Sequence, residues 1–232
     1  MSSEEELLKR LGVTIDPETL RLALTHRSYA YENGGIPTNE RLEFLGDSIL
    51  GFSIAEYLYD ELPHLPEGDL AKRRAAVVST RALATVGRQL ALGQHIYLGR
   101  GEKQSNGENK SSILADTMEA IFGAVYLNHG MDIAKELILR LVTPMLEDGE
   151  LLGAATDWKT VIQEEAAGGK LGDVLYEVTG TGPDHARSYT ATLWIGEREL
   201  GQGQGPSKKE AEQEAARASW KLMHPNQTLP QL

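Results

Sequence analysis

The sequence predicts two domains of different fold class, an all-helical domain followed by an α+β domain with the order αβββα. Through the first 150 residues, apolar side chains recur at intervals of three and four, the spacing of amphipathic helices. From residue 157 onward, one helical pattern precedes three short alternating runs and an alanine-rich helix. We therefore predict domains at residues 1–150 and 157–224, a linker at 151–156 and a flexible tail at 225–232.

The helical domain contains several patterns separated by breakers. Asn-Gly-Gly and a proline predict a loop within residues 25–38, and two prolines break the chain at 63–66. Residues 99–109 are polar and are predicted to form a second loop. The predicted helices occupy residues 4–11, 17–27, 70–90, 111–128 and 132–147, together with a central helix that begins at residue 39 and precedes the break at 63–66.

The helix that begins at residue 39 has an unusual distribution of side chains. At about 100° per residue, Glu40, Glu43 and Asp47 fall within an arc of roughly 60°. Phe44 lies beside these acids, and Gly46 costs the helix about 1 kcal/mol relative to alanine. A core stripe is predicted on the other side, formed by Leu42, Leu45, Ile49 and Phe52. Such a helix indicates a functional site, although a solvated acidic face with Phe44 in a secondary contact would give the same pattern.

A second acidic pair lies on the helix predicted at residues 111–128. Asp116 and Glu119 are three residues apart and share a face, while Gly123 permits close backbone approach. Ile113, Ala120, Ala124 and Leu127 are predicted to face the core. If the two acidic helices pack side by side, their carboxylates raise one another's pKa unless a cation neutralises them. An all-oxygen ligand set selects Mg²⁺ or Mn²⁺, and such ions support phosphoryl transfer.

Composition excludes several classes of protein. The chain has no cysteine, which rules out disulfides, thiolate catalysis and zinc–thiolate sites. Asp and Glu outnumber Lys and Arg by 34 to 23, so any contact with nucleic acid must be local. The acidic first residues do not resemble a signal peptide, and no apolar run reaches membrane-spanning length. We expect a soluble, cytoplasmic protein with no membrane partner.

Two basic features of the helical domain have more than one interpretation. His26 is expected to be a structural hydrogen bonder at the end of its helix rather than a ligand. Lys72, Arg73 and Arg74 form either a solvated surface or a phosphate contact.

The second domain offers three separated contacts for a nucleic-acid duplex. Ser207 begins a capping box, and Lys208 and Lys209 lie in the first turn of the helix, where backbone N–H groups favour a phosphate. The other two contacts are a loop between the first two strands and an exposed helix face. Their predicted contact residues are Pro183, Asp184 and His185 in the loop and Lys159, Gln163 and Glu164 on the helix. Separated contacts suit a duplex recognised through phosphates and 2′-hydroxyls.

These motifs together resemble a known family. Asn39-Glu-Arg-Leu-Glu-Phe-Leu-Gly-Asp47 resembles the signature of the bacterial ribonuclease III family, and Ser112-Ile-Leu-Ala-Asp-Thr-Met-Glu-Ala120 resembles its second acidic motif. Leu24-Thr-His-Arg-Ser28 and Leu98-Gly-Arg-Gly-Glu102 also fit. The tail, with Gly182-Pro-Asp-His185 and Gly205-Pro-Ser-Lys-Lys-Glu-Ala211, resembles a double-stranded-RNA-binding domain.

The resemblance implies a Mg²⁺-dependent endonuclease that cuts double-stranded RNA and leaves 5′-phosphates, 3′-hydroxyls and two-nucleotide 3′ overhangs, with Mn²⁺ as an alternative ion. It implies processing of ribosomal RNA precursors and messenger RNA. By motif position, the metal ligands are Glu43, Asp47, Asp116 and Glu119, with Asp47 and Glu119 also the catalytic pair. Glu40 and Glu67 complete the acidic cleft. The family works as a homodimer, in which Phe44 inserts into the partner subunit.

Two other functions are compatible with the same fold. A catalytically silent RNA-binding protein, or a structural component of a ribonucleoprotein, would be expected to lose some of the four proposed ligands. All four are present in this sequence.

Overall fold

The computed structural model describes residues 3–147, 156–183 and 187–227, which fall into two compact units. The first unit spans residues 1–155 and is helical, and the second spans 156–232 and has the element order αβββα. The predicted fold class is therefore confirmed. Of the predicted linker only Thr156 is described, and the end of the predicted tail lies outside the described residues.

Within its described residues, the first unit is built from α-helices and short 3-10 turns. The turns lie at Leu92–His95, Gly107–Asn109 and Thr143–Glu147. None of the helices described in either unit combines the length and the apolar composition that crossing a bilayer would require. The α-helices of the first unit are α1 (Ser3–Leu11), α2 (Pro17–Ala23), α3 (Arg27–Glu32), α4 (Glu40–Glu61), α5 (Glu67–Val77), α6 (Thr80–Gln89), α7 (Arg100–Gln104), α8 (Ser111–His129) and α9 (Met131–Val142).

Side-chain caps explain why several of these helices begin where they do. The Asp16 carboxylate accepts hydrogen bonds from the backbone N–H groups of Glu18 and Thr19 at 3.0 and 3.1 Å, and Pro17 occupies the first helical position of α2. The Ser79 hydroxyl accepts from the N–H of Ala82 and begins α6.

Three predicted boundaries in this unit were wrong. The run predicted at 70–90 is two helices, because Val78 is the C-cap of α5 and the next residue, Ser79, caps α6. The predicted loops at 25–38 and 99–109 contain the short helices α3 and α7. With six and five residues, these helices are too short for their apolar spacing to be recognised.

Helices α4 and α8 pack along each other at the centre of the unit. Leu50 and Ile54 of α4 and Ile121 and Phe122 of α8 are fully buried. The core role predicted for Phe52 and Leu127 was wrong, since these side chains are 56 % and 60 % exposed. The buried face of α4 is centred on Gly46 and Leu50, where α8 covers it, and Phe52 lies outside that face.

The second unit places its helices against one face of a three-stranded antiparallel sheet. The sheet order is β1-β2-β3, with a bulge between Leu193 and Trp194. Trp158 and Trp220 lie in the core with ring centroids 5.3 Å apart. The elements are α10 (Trp158–Gly169), β1 (Val174–Thr181), β2 (Ser188–Ile195), β3 (Arg198–Gly205) and α11 (Lys208–Met223).

Glycine alternation on β3 sets the distance between sheet and helix. A β-carbon on Gly203 would lie 2.2 Å from the backbone nitrogen of Ala215. One on Gly201 would lie 2.7 Å from Oγ of Ser219, and one on Gly205 would lie 2.8 Å from the backbone nitrogen of Ala211. Ala211, Ala215 and Ala216 on the facing side of α11 are fully buried. Strand and helix therefore meet almost backbone to backbone, which no larger side chain on β3 would allow.

Candidate active site

Two glycines bring the acidic helices α4 and α8 into contact. A β-carbon on Gly46 would lie 1.8 Å from the carbonyl oxygen of Glu119, and one on Gly123 would lie 2.4 Å from the carbonyl oxygen of Leu42. Both distances are far below van der Waals contact, so neither position accepts a side chain without moving a helix. Gly46 therefore destabilises its own helix but allows the close crossing of α4 and α8.

The crossing gathers three of the predicted acids. Glu43, Asp116 and Glu119 each offer a carboxylate oxygen, and these three oxygens lie within 4.8 Å of one another. All three side chains are half-buried. Glu43 comes from α4, and the other two come from α8, so the cluster exists only when the helices are packed.

Burial and mutual repulsion disfavour the charged forms of these carboxylates. Burial raises the pKa of Glu119 to about 8, and the negative charges of Asp47, Asp116 and Glu43 add to the effect. Burial also raises the pKa of Asp116. The pKa of Glu43 is raised by burial first and then by the charges of Asp116 and Glu40.

The donor set of this cluster fits a hard divalent cation. Three carboxylates offer only oxygen ligands, and Mg²⁺ or Mn²⁺ binds through a few carboxylates and several waters. A bound cation would also remove the repulsion that raises these pKa values. The described residues around the cluster provide no thiol and no second histidine that would favour a softer metal.

The remaining predicted acids are not among the three residues of the cluster. Asp47 is exposed, but its charge is the leading electrostatic influence on Glu119. Glu40 is exposed, accepts a hydrogen bond from the Thr38 hydroxyl at 2.8 Å and lines the adjoining cavity. Glu67 is exposed at the first residue of α5 and does not line that cavity.

A polar cavity of about 410 Å³ adjoins the cluster. Its lining combines acidic side chains with hydrogen-bond donors. Asn39 is only 3 % exposed, and its side-chain Nδ2 has no hydrogen-bond partner among the described residues. The cavity is lined by His26, Arg27, Asn39, Glu40, Glu43, Glu102, Lys110, Ser112, Ile113 and Asp116.

Phe44 is exposed, as its position on the helical wheel predicts. The ring is 79 % accessible on the outer face of α4, one residue from the clustered Glu43. Phe52 and Tyr59 of the same helix are also exposed, at 56 % and 73 %. A run of large apolar side chains on one helix is unusual for a surface that faces only water.

The second unit displays most of its predicted contact residues. Lys208 and Lys209 are exposed at the start of α11, where the Ser207 hydroxyl accepts from the N–H of Glu210 at 3.2 Å. Lys159 forms an ion pair with Glu212 and lies over the Tyr176 ring at 4.9 Å. Gln163, Glu164 and Pro183 are exposed, and Asp184 and His185 lie outside the described residues.

Comparison with known proteins gives the same division of the chain. A family model described as "Ribonuclease-III-like" matches residues 16–146, and one described as "Double-stranded RNA binding motif" matches residues 158–223. Ribonuclease 3 of Mycolicibacterium paratuberculosis is 56 % identical over 226 residues, covering 96 % of this chain and 95 % of that protein. The chain belongs to the ribonuclease III family.

Other members of the ribonuclease III family are similarly close. Ribonuclease 3 of Nocardia farcinica is 57 % identical over 220 residues, covering 94 % of this chain and 92 % of its own length. Among solved structures, the ribonuclease III nuclease domain of Campylobacter jejuni is 39 % identical with a TM-score of 0.57. That match covers 60 % of this chain and 96 % of the other, and its authors describe flexibility in a region involved in dimer formation.

Sequence reasoning missed the hydrogen-bond donors that line the cavity. His26 was expected to have only a structural role, and Arg27, Asn39 and Lys110 were given none. His26 and Arg27 follow directly after Thr25, which forms a parallel bridge with Tyr97 and so joins two segments that are distant in the chain. The periodicity of apolar residues within a helix does not show which distant segments of the chain come into contact. The available signal was position, since these residues stand within or beside the recognised motifs.

Proposed function

We propose that this protein is a Mg²⁺-dependent endoribonuclease that cuts double-stranded RNA and leaves 5′-phosphate and 3′-hydroxyl ends with two-nucleotide 3′ overhangs. The observation that carries the proposal is the cluster of Glu43, Asp116 and Glu119, with ligand oxygens within 4.8 Å. The same chain carries a double-stranded RNA binding motif, which supplies the substrate class.

In this proposal, Glu43, Asp47, Asp116 and Glu119 hold the divalent ion, with Mn²⁺ an alternative to Mg²⁺. When bound, the ion supplies a nucleophilic water at neutral pH and charge stabilisation for an in-line displacement. The chain's own task is to keep several carboxylates close together at half-buried positions, where their raised pKa values favour exchange of a proton for a cation. Glu40 and Glu67 add negative potential at the edge of the cleft.

The second unit is proposed to hold the duplex. Lys208 and Lys209 bind phosphates at the N-terminal end of α11, where the helix dipole adds to their charge. Lys159, Gln163 and Glu164 on α10, together with Pro183, Asp184 and His185, contact the minor groove. Lys159 is already held by Glu212, so its charge reaches RNA only in part.

We propose that the protein works as a homodimer. The exposed Phe44 lies beside the acidic cluster, and a second subunit would cover it together with its apolar neighbours on α4. The Campylobacter jejuni domain is described with a region involved in dimer formation, which supports this assembly. We further propose a cytoplasmic role in processing ribosomal RNA precursors and messenger RNA.

The test is cleavage of a long double-stranded RNA by purified protein, with and without Mg²⁺. We expect short duplex products that depend on the ion, and single-stranded RNA of the same sequence should survive. Sequencing of both product ends checks the overhang. Binding of the duplex without cleavage, in the presence of Mg²⁺ or Mn²⁺, would instead favour the catalytically silent RNA-binding protein.

A further inference from the structure

The cavity beside the acidic cluster is lined by side chains of opposite chemistry. Glu40, Glu43 and Asp116 contribute carboxylates. We call His26 and Arg27, which line the same cavity and can donate hydrogen bonds, the donor wall. An acidic wall by itself repels a phosphodiester, because every phosphate of RNA carries a negative charge. A cavity that must accept both a cation and a phosphate needs both kinds of wall.

The His26 ring is held in one tautomer by its neighbours. The Ser28 hydroxyl accepts a hydrogen bond from the Gly99 N–H at 3.0 Å, so its own hydrogen is free to point at Nδ1 of His26, 2.8 Å away. The Ser28 backbone N–H also donates to Nδ1, at 3.3 Å. With two donors at Nδ1, the neutral ring carries its hydrogen on Nε2.

Burial favours the neutral form of this imidazole. Burial lowers the pKa of His26, and Arg27 lowers it further, against opposing influences from the carboxylates of Glu102 and Asp116. A neutral ring with its hydrogen on Nε2 still donates a hydrogen bond, but it does not compete with a metal ion for the carboxylates. Within the described residues, Nε2 of His26 takes part in no hydrogen bond.

Arg27 is the uncommitted cation of this cavity. It is the first residue of α3, it is exposed, and it forms no ion pair with any carboxylate in the described part of the chain. Its charge nevertheless lowers the pKa values of Glu43 and Asp116, which places it within electrostatic reach of the cluster. Lys110, the other cation lining the cavity, is already paired with Glu102.

We propose that His26 and Arg27 form a phosphate-binding wall that orients the RNA strand to be cut. In this arrangement, Nε2–H of His26 donates to a non-bridging oxygen of the scissile phosphate, and Arg27 binds the neighbouring phosphate of the same strand. The inference rests on the proposed function and assigns a substrate-contacting role that the acids do not supply. The competing explanation is that His26 serves only as the N-cap of α3.

The first experiment measures single-turnover cleavage by the full-length variants His26→Phe and His26→Gln. Phenylalanine removes the donor, and we expect the cleavage rate of bound RNA to fall about 100-fold, the size seen when one preorganised donor is lost. Glutamine places an amide N–H near the former Nε2, so it should recover at least part of the rate. Duplex affinity should change little in either variant.

Sulfur substitution at the scissile phosphate distinguishes direct contact between His26 and the RNA from a purely structural role of His26. A phosphorothioate weakens the hydrogen bond at one non-bridging oxygen, so one diastereomer should slow the wild-type protein more than it slows His26→Phe. A residue that only caps α3 would leave the sulfur effect identical in both proteins. Melting followed by circular dichroism and titration with Mn²⁺ check that the variants fold and keep their cation affinity. If His26→Phe does not fold, the same comparison is made with His26→Ala, which also removes the donor.

The second experiment tests Arg27 through the salt dependence of duplex binding. Loss of one phosphate contact lowers the slope of log affinity against log salt by about 1. We expect this for Arg27→Ala and a smaller change for the matched control Lys9→Ala, because Lys9 is exposed in the same unit but does not line the acidic cavity.

Two results would overturn the inference: an unchanged sulfur effect in the His26 variant, or equal salt slopes for Arg27→Ala and Lys9→Ala. The wild-type protein is measured in the same assays. If it does not cleave duplex RNA at all, the proposed function fails; if it cleaves and the variants behave as wild type, only the phosphate-binding wall fails.

Discussion

In the first unit, Gly46 and Gly123 let α4 and α8 approach each other, and in the second unit three glycines of β3 let the sheet approach α11. The backbone geometry is similar, but the neighbouring side chains differ. Around the first crossing stand half-buried carboxylates, whereas around the second stand small apolar alanines. The close approach concentrates like charges in one unit and fills a core in the other.

The first unit contains a site whose like charges repel one another, whereas the second unit is a packed scaffold without such a cluster among its described residues. The first unit holds acids whose pKa values are raised, so its metal-free form contains repulsion that a ligand can relieve. The second unit keeps Lys208 and Lys209 exposed to solvent at the end of a well-packed helix. Substitutions at the acidic site of the first unit should therefore change the rate of RNA cleavage. Substitutions in the second unit should change the affinity for RNA.

The largest effect is expected from Glu119→Gln. The amide keeps the shape of the side chain but removes one negative ligand, so cleavage should fall by roughly three orders of magnitude or more, about 4 kcal/mol of barrier. Duplex binding should be retained, because the second unit is untouched. Cleavage rates and gel-shift affinities measure the two properties. The control is Glu136→Gln, which changes an exposed carboxylate in the middle of α9 and should behave as wild type.

A matched pair of glycine substitutions compares the two crossings directly. Gly46→Ala places a methyl group against the Glu119 carbonyl, so the helices must shift and cleavage should fall at least about 100-fold. Gly203→Ala disturbs the contact of β3 with α11 and should abolish tight RNA binding, while cleavage at low salt survives. Gly168→Ala, which meets open space near the end of α10, should stabilise the protein by about 0.5–1 kcal/mol.

Equal loss of cleavage at low salt in the Gly46 and Gly203 variants would contradict the proposal that the first unit cleaves RNA and the second unit binds it. Thermal melts of all three variants distinguish a shifted site from an unfolded unit.

A smaller effect is expected from the double variant Lys208→Gln and Lys209→Gln. Removal of two phosphate contacts should lower the salt slope by about 2 and weaken binding at moderate salt by about tenfold or more. The cleavage rate of saturated RNA should stay near wild type. Lys221→Gln, at the other end of α11, serves as the control. A fall in the saturated rate would mean that the second unit takes part in chemistry.

The smallest effect is a pH dependence of stability. The pKa of Glu119 is about 8 in the folded state, above the ordinary value of 4.5, so the folded protein binds more protons than the unfolded chain between these values. The metal-free protein should therefore lose stability as pH rises from about 5 to 8, by a few degrees in melting temperature. Glu119→Gln should flatten the profile, and Mg²⁺ should stabilise the wild type most at high pH. A metal-free profile that rises across this range would contradict the assignment.

The elements that could be predicted are those specified by residues close together in the sequence. The spacing of Glu40, Glu43 and Asp47 and of Asp116 and Glu119 placed the acids on helix faces, and the Ser207 capping box marked the start of α11. Phe52 was misplaced because a wheel shows which residues share a face but not how wide the covering helix is.

The features that were missed depend on pairs of distant segments. The donor wall follows directly after Thr25, whose bridge partner Tyr97 is far away in the chain. The closeness of β3 to α11 requires that each glycine meet a particular alanine. Local composition shows that Gly201, Gly203 and Gly205 alternate, but it does not show what they face.

All three tryptophans of the chain, Trp158, Trp194 and Trp220, belong to the second unit. Trp158 and Trp220 are buried against each other, and the His224 ring stacks on Trp220 at 4.7 Å. Tryptophan fluorescence therefore reports the RNA-binding-motif unit alone, while the far-ultraviolet circular dichroism is dominated by the helices of the other unit. A denaturant titration followed by both signals will resolve, in one unlabelled sample, whether the two units unfold in one cooperative transition or in two.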